Sequence, residues 1–281
     1  MPKVDAILNG VENVPAAPKL LIQLLSQLSD VNASLDRVVD MIAFDPGLTS
    51  RLLQVCNSAF YGLSRPVNHV SEAVNRLGYQ AVYHIVAVVS GEQMIKPASD
   101  TGLDADQLWK HAVTVAFAAQ FIAKGVGADS SLLFTAGVLH DIGKLILGQV
   151  LKGEYAKMIR GSSLSGIPLQ DVELSCFGVT HSMVGARLLQ RWKFSPLMVD
   201  SVCYHHNPSE SKEAARFAAI VQLADVLAHS VEAGQPISEE STATFASSLG
   251  ILDIEMNELE RYYDEVHDSL KFVEAMCRSR S

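Results

Sequence analysis

Nine histidines occur in this chain, and five of them, His111, His140, His181, His205 and His206, fall between residues 111 and 206. Each sits in or beside a segment whose apolar residues recur at helical spacing, so each is expected to point inward. A single histidine on an apolar helix face is ordinarily a hydrogen-bonded core residue. Five on consecutive helices ask for a shared explanation, because buried imidazoles and carboxylates are costly unless they are paired or coordinated. A metal ion relieves that cost, and neutral imidazole is a good ligand for iron, manganese, nickel or zinc.

The stretch GVLHDIGKLIL (137–147) sets His140 beside Asp141 in a run that otherwise reads as core. Neighbouring residues of one helix point about 100° apart and make poor partners for each other. They can still converge on one ion between helices, or on two ions bridged by the carboxylate. Here one helix is expected to lend both. Lys144 follows Asp141 by three residues on the same face. It would hold a phosphate or donate a proton, or else snorkel to the surface.

The elements that must position these groups are helical throughout. PAAPKLLIQLLSQLSD carries Pro15 and Pro18 near a helix start, and Ser34 can cap SLDRVVDMIAF. Asp45-Pro46 opens GLTSRLLQVCNSAFYG, with Gly62 as its stop, and a long segment from about Ser71 to Met94 is interrupted at Gly78. KPASDTGLDAD (96–106) reads as a boundary between residues 1–100, an N-terminal helical half, and 101–281, a helical bundle with the candidate metal site. Beyond it, helices are expected near 104–124, 129–147 (as a pair), 168–176, 179–192, 195–206, 211–230 and 255–276, with loops at 161–168 and 234–243. No convincing strand alternation and no repeat appears.

Composition agrees with an all-α fold. Of the 281 residues 48% are hydrophobic but only 7% aromatic. A chain of this length buries a sizeable core without disulfides or a structural metal, so a metal site here is expected to be functional. The net charge of -9 opposes a broad surface for duplex nucleic acid or anionic lipid. Cys56, Cys176, Cys203 and Cys277 form no close pair and read as buried reduced thiols. MPKVDAILNG has no signal-peptide pattern, and apolar stretches such as AVTVAFAAQFIA fall short of a membrane span. A soluble, cytoplasmic protein is expected.

HDIGK resembles the signature of the HD superfamily of metal-dependent phosphohydrolases, an all-α fold with the order H…HD…D. His111 in LWKHA matches the first histidine, His140 and Asp141 the doublet, and Asp225 in VQLADVLAH the final aspartate. In that superfamily these four hold a metal that activates water for attack on phosphorus. GVTHSMVGARLLQRWKFSP, with His181, and VCYHHNP, with His205 and His206, resemble the HDOD branch. VPAAP, DPGLTSRLLQVCNSAFYG and AVNRLG resemble the helical N-terminal portion of HDOD domains, so the likeness runs from about residue 14 to 230. His205-His206 leads into NPSESKE and not into the glycine-tyrosine-proline loop of the HD-GYP branch, so the likeness does not extend to that branch's cyclic di-GMP hydrolysis.

The resemblance implies a bacterial signalling or regulatory protein with an HD-like metal site, its partner a signalling protein or a small phosphorylated ligand. The alternative it leaves open is a metal-dependent phosphohydrolase acting on a nucleotide or phosphodiester. In that case His111, His140, Asp141 and Asp225 would hold a first ion, and His181, His205 and His206 a second, with Asp141 bridging. Lys144 would steady developing charge. The cofactor implied is one or two divalent ions of iron, manganese, nickel or zinc. Asn57, Ser58 and Tyr61, followed by Arg65-Pro66, suggest a partner surface, an interdomain contact or plain helix capping. His69, His84, His229 and His267 match no motif position and read as ordinary histidines.

Overall fold

The computed structural model describes residues 2–11, 19–28, 35–58, 61–94, 100–237 and 242–278. Among them there is no strand, and the fold is all-α. The N-terminal helices are α1 (Pro2–Asn9), α2 (Lys19–Leu28), α3 (Leu35–Ala43), α4 (Pro46–Cys56), α5 (Val70–Leu77) and α6 (Tyr79–Met94). Then come α7 (Ala105–Gly125), α8 (Ser130–Leu139), α9 (Ile142–Leu151), α10 (Gly153–Ser165), α11 (Leu169–Phe177), α12 (His181–Arg191) and α13 (Pro196–Cys203). A 3₁₀ turn at Pro208–Glu210 leads to α14 (Ala215–Ala233), α15 (Ala246–Leu252) and α16 (Met256–Arg278).

Side-chain caps fix where several of these helices begin. Asp45 accepts from Leu48 N at 3.0 Å ahead of Pro46, and Ser195 accepts from Met198 N at 3.3 Å ahead of Pro196. Asp104 and Asp129 do the same for α7 and α8. Gly78, with φ of 84°, separates α5 from α6 where the sequence expected a break. The expected starts at Pro15, Pro18 and Ser34 lie outside the described residues.

Four expectations are corrected. The 161–168 segment is not a loop at its start, because α10 continues to Ser165 and stops at Gly166, which takes a left-handed φ of 69°. Ser162 Oγ donates to Ile167 O at 2.6 Å and closes that turn. The helix expected to run to 206 ends at Cys203, which leaves His205 and His206 beyond it. Helix α4 ends at Cys56, well before Gly62, with Asn57 at its C-cap. The cysteines are not uniformly buried: Cys56 is, Cys203 is half-buried and Cys176 is exposed.

The Asn57 side chain receives Val67 N at 2.7 Å and donates to Val67 O at 2.8 Å. Tyr61 stands edge-on to Phe272 of α16. This corner therefore folds back on the chain itself. Among the described residues one apolar stretch, Ser130–Leu151, is long and apolar enough to cross a membrane, but it is mostly buried inside the fold. It is the central helix pair α8–α9, packed on α7, α12 and α14.

Close packing around this pair depends on glycine. A Cβ on Gly137 would lie 2.6 Å from Ala116 Cα of α7. One on Gly143 would lie 1.9 Å from His181 O. Helix α9 thus touches the start of α12 backbone to backbone, which brings Asp141 and His181 to one place.

Candidate metal centre

His140 and Asp141 do not share a helix. They form the turn between α8 and α9, with His140 closing the first and Asp141 preceding the second. The break frees both side chains to point into the space between α7, α12 and α14. His111 enters from α7, His181 from the first residue of α12, His205 and His206 from the segment after α13, and Asp225 from α14. Lys144 lies one turn into α9. The structure brings together every candidate named above.

The histidine tautomers follow from their partners. His140 Nδ1 faces Gly137 O at 2.8 Å and His205 Nδ1 faces Val202 O at 2.7 Å, so each nitrogen must donate. His181 Nδ1 is 2.7 Å from Glu173 Oε2, and His111 Nδ1 is 3.1 Å from Glu232 Oε2. All four rings are therefore anchored through Nδ1, which leaves Nε2 turned toward the centre. This is the support that metal-binding histidines receive from outer carboxylates and carbonyls.

Several of the inward atoms lack ordinary partners, although His111 Nε2 is 2.9 Å from Asp225 Oδ1. His140 Nε2 lies 3.3 Å from Asp141 Oδ2, and His181 Nε2 lies 3.4 Å from Asp141 Oδ1. Both contacts point a ring nitrogen at the buried Asp141 carboxylate. Asp141 Oδ1 and His205 Nε2 are buried and have no hydrogen-bond partner. His181 Nε2 and His206 Nε2 are 2.9 Å apart. Metal–nitrogen bonds of about 2.1 Å place neighbouring donors about 3.0–3.4 Å apart, from square to tetrahedral angles. The residues present fit a divalent cation on chemistry and on spacing.

Among the described residues three groups have donor atoms within 4.8 Å of one another: His111 with His140 and Asp141, His181 with His205 and His206, and His111 with Asp225 and His229. Asp141 directs one oxygen to each of the first two. Asp225 Oδ1 joins the first group, 2.9 Å from His111 Nε2 and 4.0 Å from His140 Nε2.

Electrostatics follow from burial and pairing. Burial, reinforced by the neighbouring histidines, pushes His205 down to about 3 and also holds His206 far below its usual range, so both stay neutral donors. Burial opposes charge on Asp141, yet His140 and Lys144 keep its carboxyl well below the carboxylate range. Burial likewise opposes charge on His111, but Asp225 and Glu232 raise it to about 10. Lys144 Nζ sits 2.5 Å from Asp141 Oδ2, and that contact outweighs burial and raises its pKa.

Sequence reasoning passed over three groups. Glu173, fully buried, accepts from His181 N and Nδ1 and from Tyr155 Oη at 2.6 Å. Glu232 holds His111. Neither has a motif signal, although Glu232 lies two turns beyond Asp225 on α14 and Glu173 lies on the helix before His181. His229, set aside as an ordinary histidine, instead places Nδ1 3.0 Å from Asp225 Oδ1. Its i+4 spacing from Asp225 was the available clue. His84, by contrast, is a core residue stacked 4.2 Å from Phe134.

The family model of the HDOD domain matches residues 14–208. A candidate phosphohydrolase from Shewanella amazonensis superposes with a TM-score of 0.76 at 24% identity, covering 98% of both chains. A candidate signal transduction protein from Marinobacter aquaeolei superposes with a TM-score of 0.79 at 20% identity, covering 98% of this chain and 64% of that one. At these identities the likeness establishes the fold. Ribonuclease Y of Opitutus terrae is 31% identical over 144 residues, which is 51% of this chain and 21% of that protein. The chain spans less than half the length of the curated relatives it matches first. Matched by the family model over well more than half its length, the chain belongs to the HDOD domain family.

Proposed function

We propose that this chain is a signalling or regulatory protein built around a divalent-metal centre with positions for two ions. The observation that carries it is the convergence of buried donors, His140 and His181 on either side of Asp141, with Asp141 Oδ1 and His205 Nε2 buried and unpartnered. A buried arrangement of this kind is costly without a cation. His111, His140, Asp141 and Asp225 would hold one ion, and His181, His205 and His206 the other. Bound there, a divalent ion supplies Lewis acidity. The chain's own part is to fix ring orientation through Glu173, Glu232, Gly137 O and Val202 O, and to balance the charge of Asp141 with Lys144.

Lys144 favours regulation over turnover. Its ammonium is spent on Asp141 at 2.5 Å and is not presented to a ligand. The likeness to a candidate signal transduction protein agrees with this. A second reading, hydrolysis of a nucleotide or phosphodiester, is favoured by the complete donor set and by the match to a ribonuclease. A generic phosphodiester such as bis(p-nitrophenyl) phosphate, together with short RNA, separates the two when incubated with manganese- or zinc-loaded protein. Turnover no greater than that of Asp141→Asn supports the regulatory role. Turnover that Asp141→Asn abolishes replaces it with the hydrolytic one.

A further inference from the structure

His229 lies outside the HD order of ligands, yet its side chain reaches Asp225 and the ring of His111. Asp225 Oδ1 is shared by His111 Nε2 at 2.9 Å and His229 Nδ1 at 3.0 Å. One donor atom from each of these three residues lies within 4.8 Å of the others. The His229 ring stands 4.4 Å from that of His111, at 63°. The 2.9 and 3.0 Å distances are near those of neighbouring donors on one ion with bonds of about 2.1 Å. His229 is one turn beyond Asp225 on the same face of α14, so the helix itself sets the pair.

We propose that His229 is an additional ligand of the ion shared by His111 and Asp225, and that it closes this position against an incoming ligand. The inference rests on the metal-centre reading above and goes beyond it. As described, His229 Nδ1 also lies 3.0 Å from the Asp225 carbonyl oxygen. Turning a ring lone pair onto an ion needs only a rotation of the imidazole. With 66% of the side chain exposed, that rotation meets little packing. A metal site that performs hydrolysis keeps one position open, whereas a structural or sensing site fills it with protein. A histidine at the solvent edge fills it reversibly, so the ion would be shielded at rest and uncovered when His229 swings out.

Cobalt(II) binding by the full chain tests this, followed by equilibrium dialysis and by cobalt d–d absorption. Wild type is compared with His229→Ala, His229→Gln and, as a control on the other position, His205→Ala. Thermal unfolding without metal checks that the variants fold as wild type does, as the exposure of His229 leads one to expect. The proposal expects both His229 variants to keep the number of bound ions, to weaken one of them about tenfold or more, and to alter its d–d bands. His205→Ala should disturb the other ion while the His229-dependent bands persist. Affinities and bands identical to wild type in both His229 variants would overturn the proposal and leave the metal centre standing. No cobalt bound by wild type would overturn both.

Discussion

At the scale of single residues, the centre depends on what lies behind each imidazole. Glu173 is fully buried and the most engaged of these supports, with three donors converging on its two oxygens. Glu173→Gln puts an amide N–H against one of them and loosens the His181 ring. The expected outcome is a 10–100-fold loss of affinity for one ion, with the other unaffected, measured by calorimetric titration with zinc. His84 gives a separate, pH-dependent prediction away from the centre. Burial, aided by Lys124, pushes it down to about 3, while in the unfolded chain it titrates near about 6.5. The folded state therefore binds fewer protons, so the contribution is complete above about pH 6.5 and fades as pH falls toward 3. Between pH 7 and pH 4.5 His84 should cost about 2–3 kcal/mol. Urea unfolding of His84→Leu should show a pH slope flatter by that amount, whatever its absolute stability. A slope equal to wild type would contradict the buried neutral state.

At the scale of elements, the junctions matter more than the helices they separate. Helix α9 starts where Asp141 ends the turn, and it meets α12 at Gly143, whose missing side chain admits His181 O. Gly143→Ala is expected to destabilise the fold by about 3 kcal/mol or more, because the blocking atom is backbone and cannot turn aside. A denaturant midpoint near wild type would show that α9 and α12 separate without cost. These junctions also mark the limit of what was legible in the chain. Asp45-Pro46, Ser195-Pro196 and Gly78 announced their boundaries through local chemistry that survives in the fold. The run of apolar residues across 137–147 hid the turn at His140-Asp141, because hydrophobic periodicity continues through it. Likewise Ser, Gly and Leu at 161–165 read as loop, yet nothing there prevents a helix until Gly166. The candidates carried by motif were visible from residue type and order. Glu173 and Glu232 were not, since their roles arise from packing between α7, α11, α12 and α14, and His229 showed only through its i+4 spacing from Asp225.

At the scale of the whole molecule, a helical scaffold with a largely apolar interior gathers the candidate ligands, Lys144 and the supporting Glu173, Glu232 and His229 in one place. Helix α1 also reaches across to this end, its Asp5 paired with Arg187 and Arg191 of α12. A stable apolar core does not need such a cluster to fold, and the proposed metal centre gives it a reason. Metal content by mass spectrometry tests that most directly, on untagged protein grown with supplementary iron, manganese, nickel and zinc, beside an Asp141→Asn/His205→Ala variant that still folds. The account predicts two equivalents of divalent transition metal in wild type and a loss of at least one in the variant. Wild type free of metal, or a variant that carries as much as wild type, would contradict it.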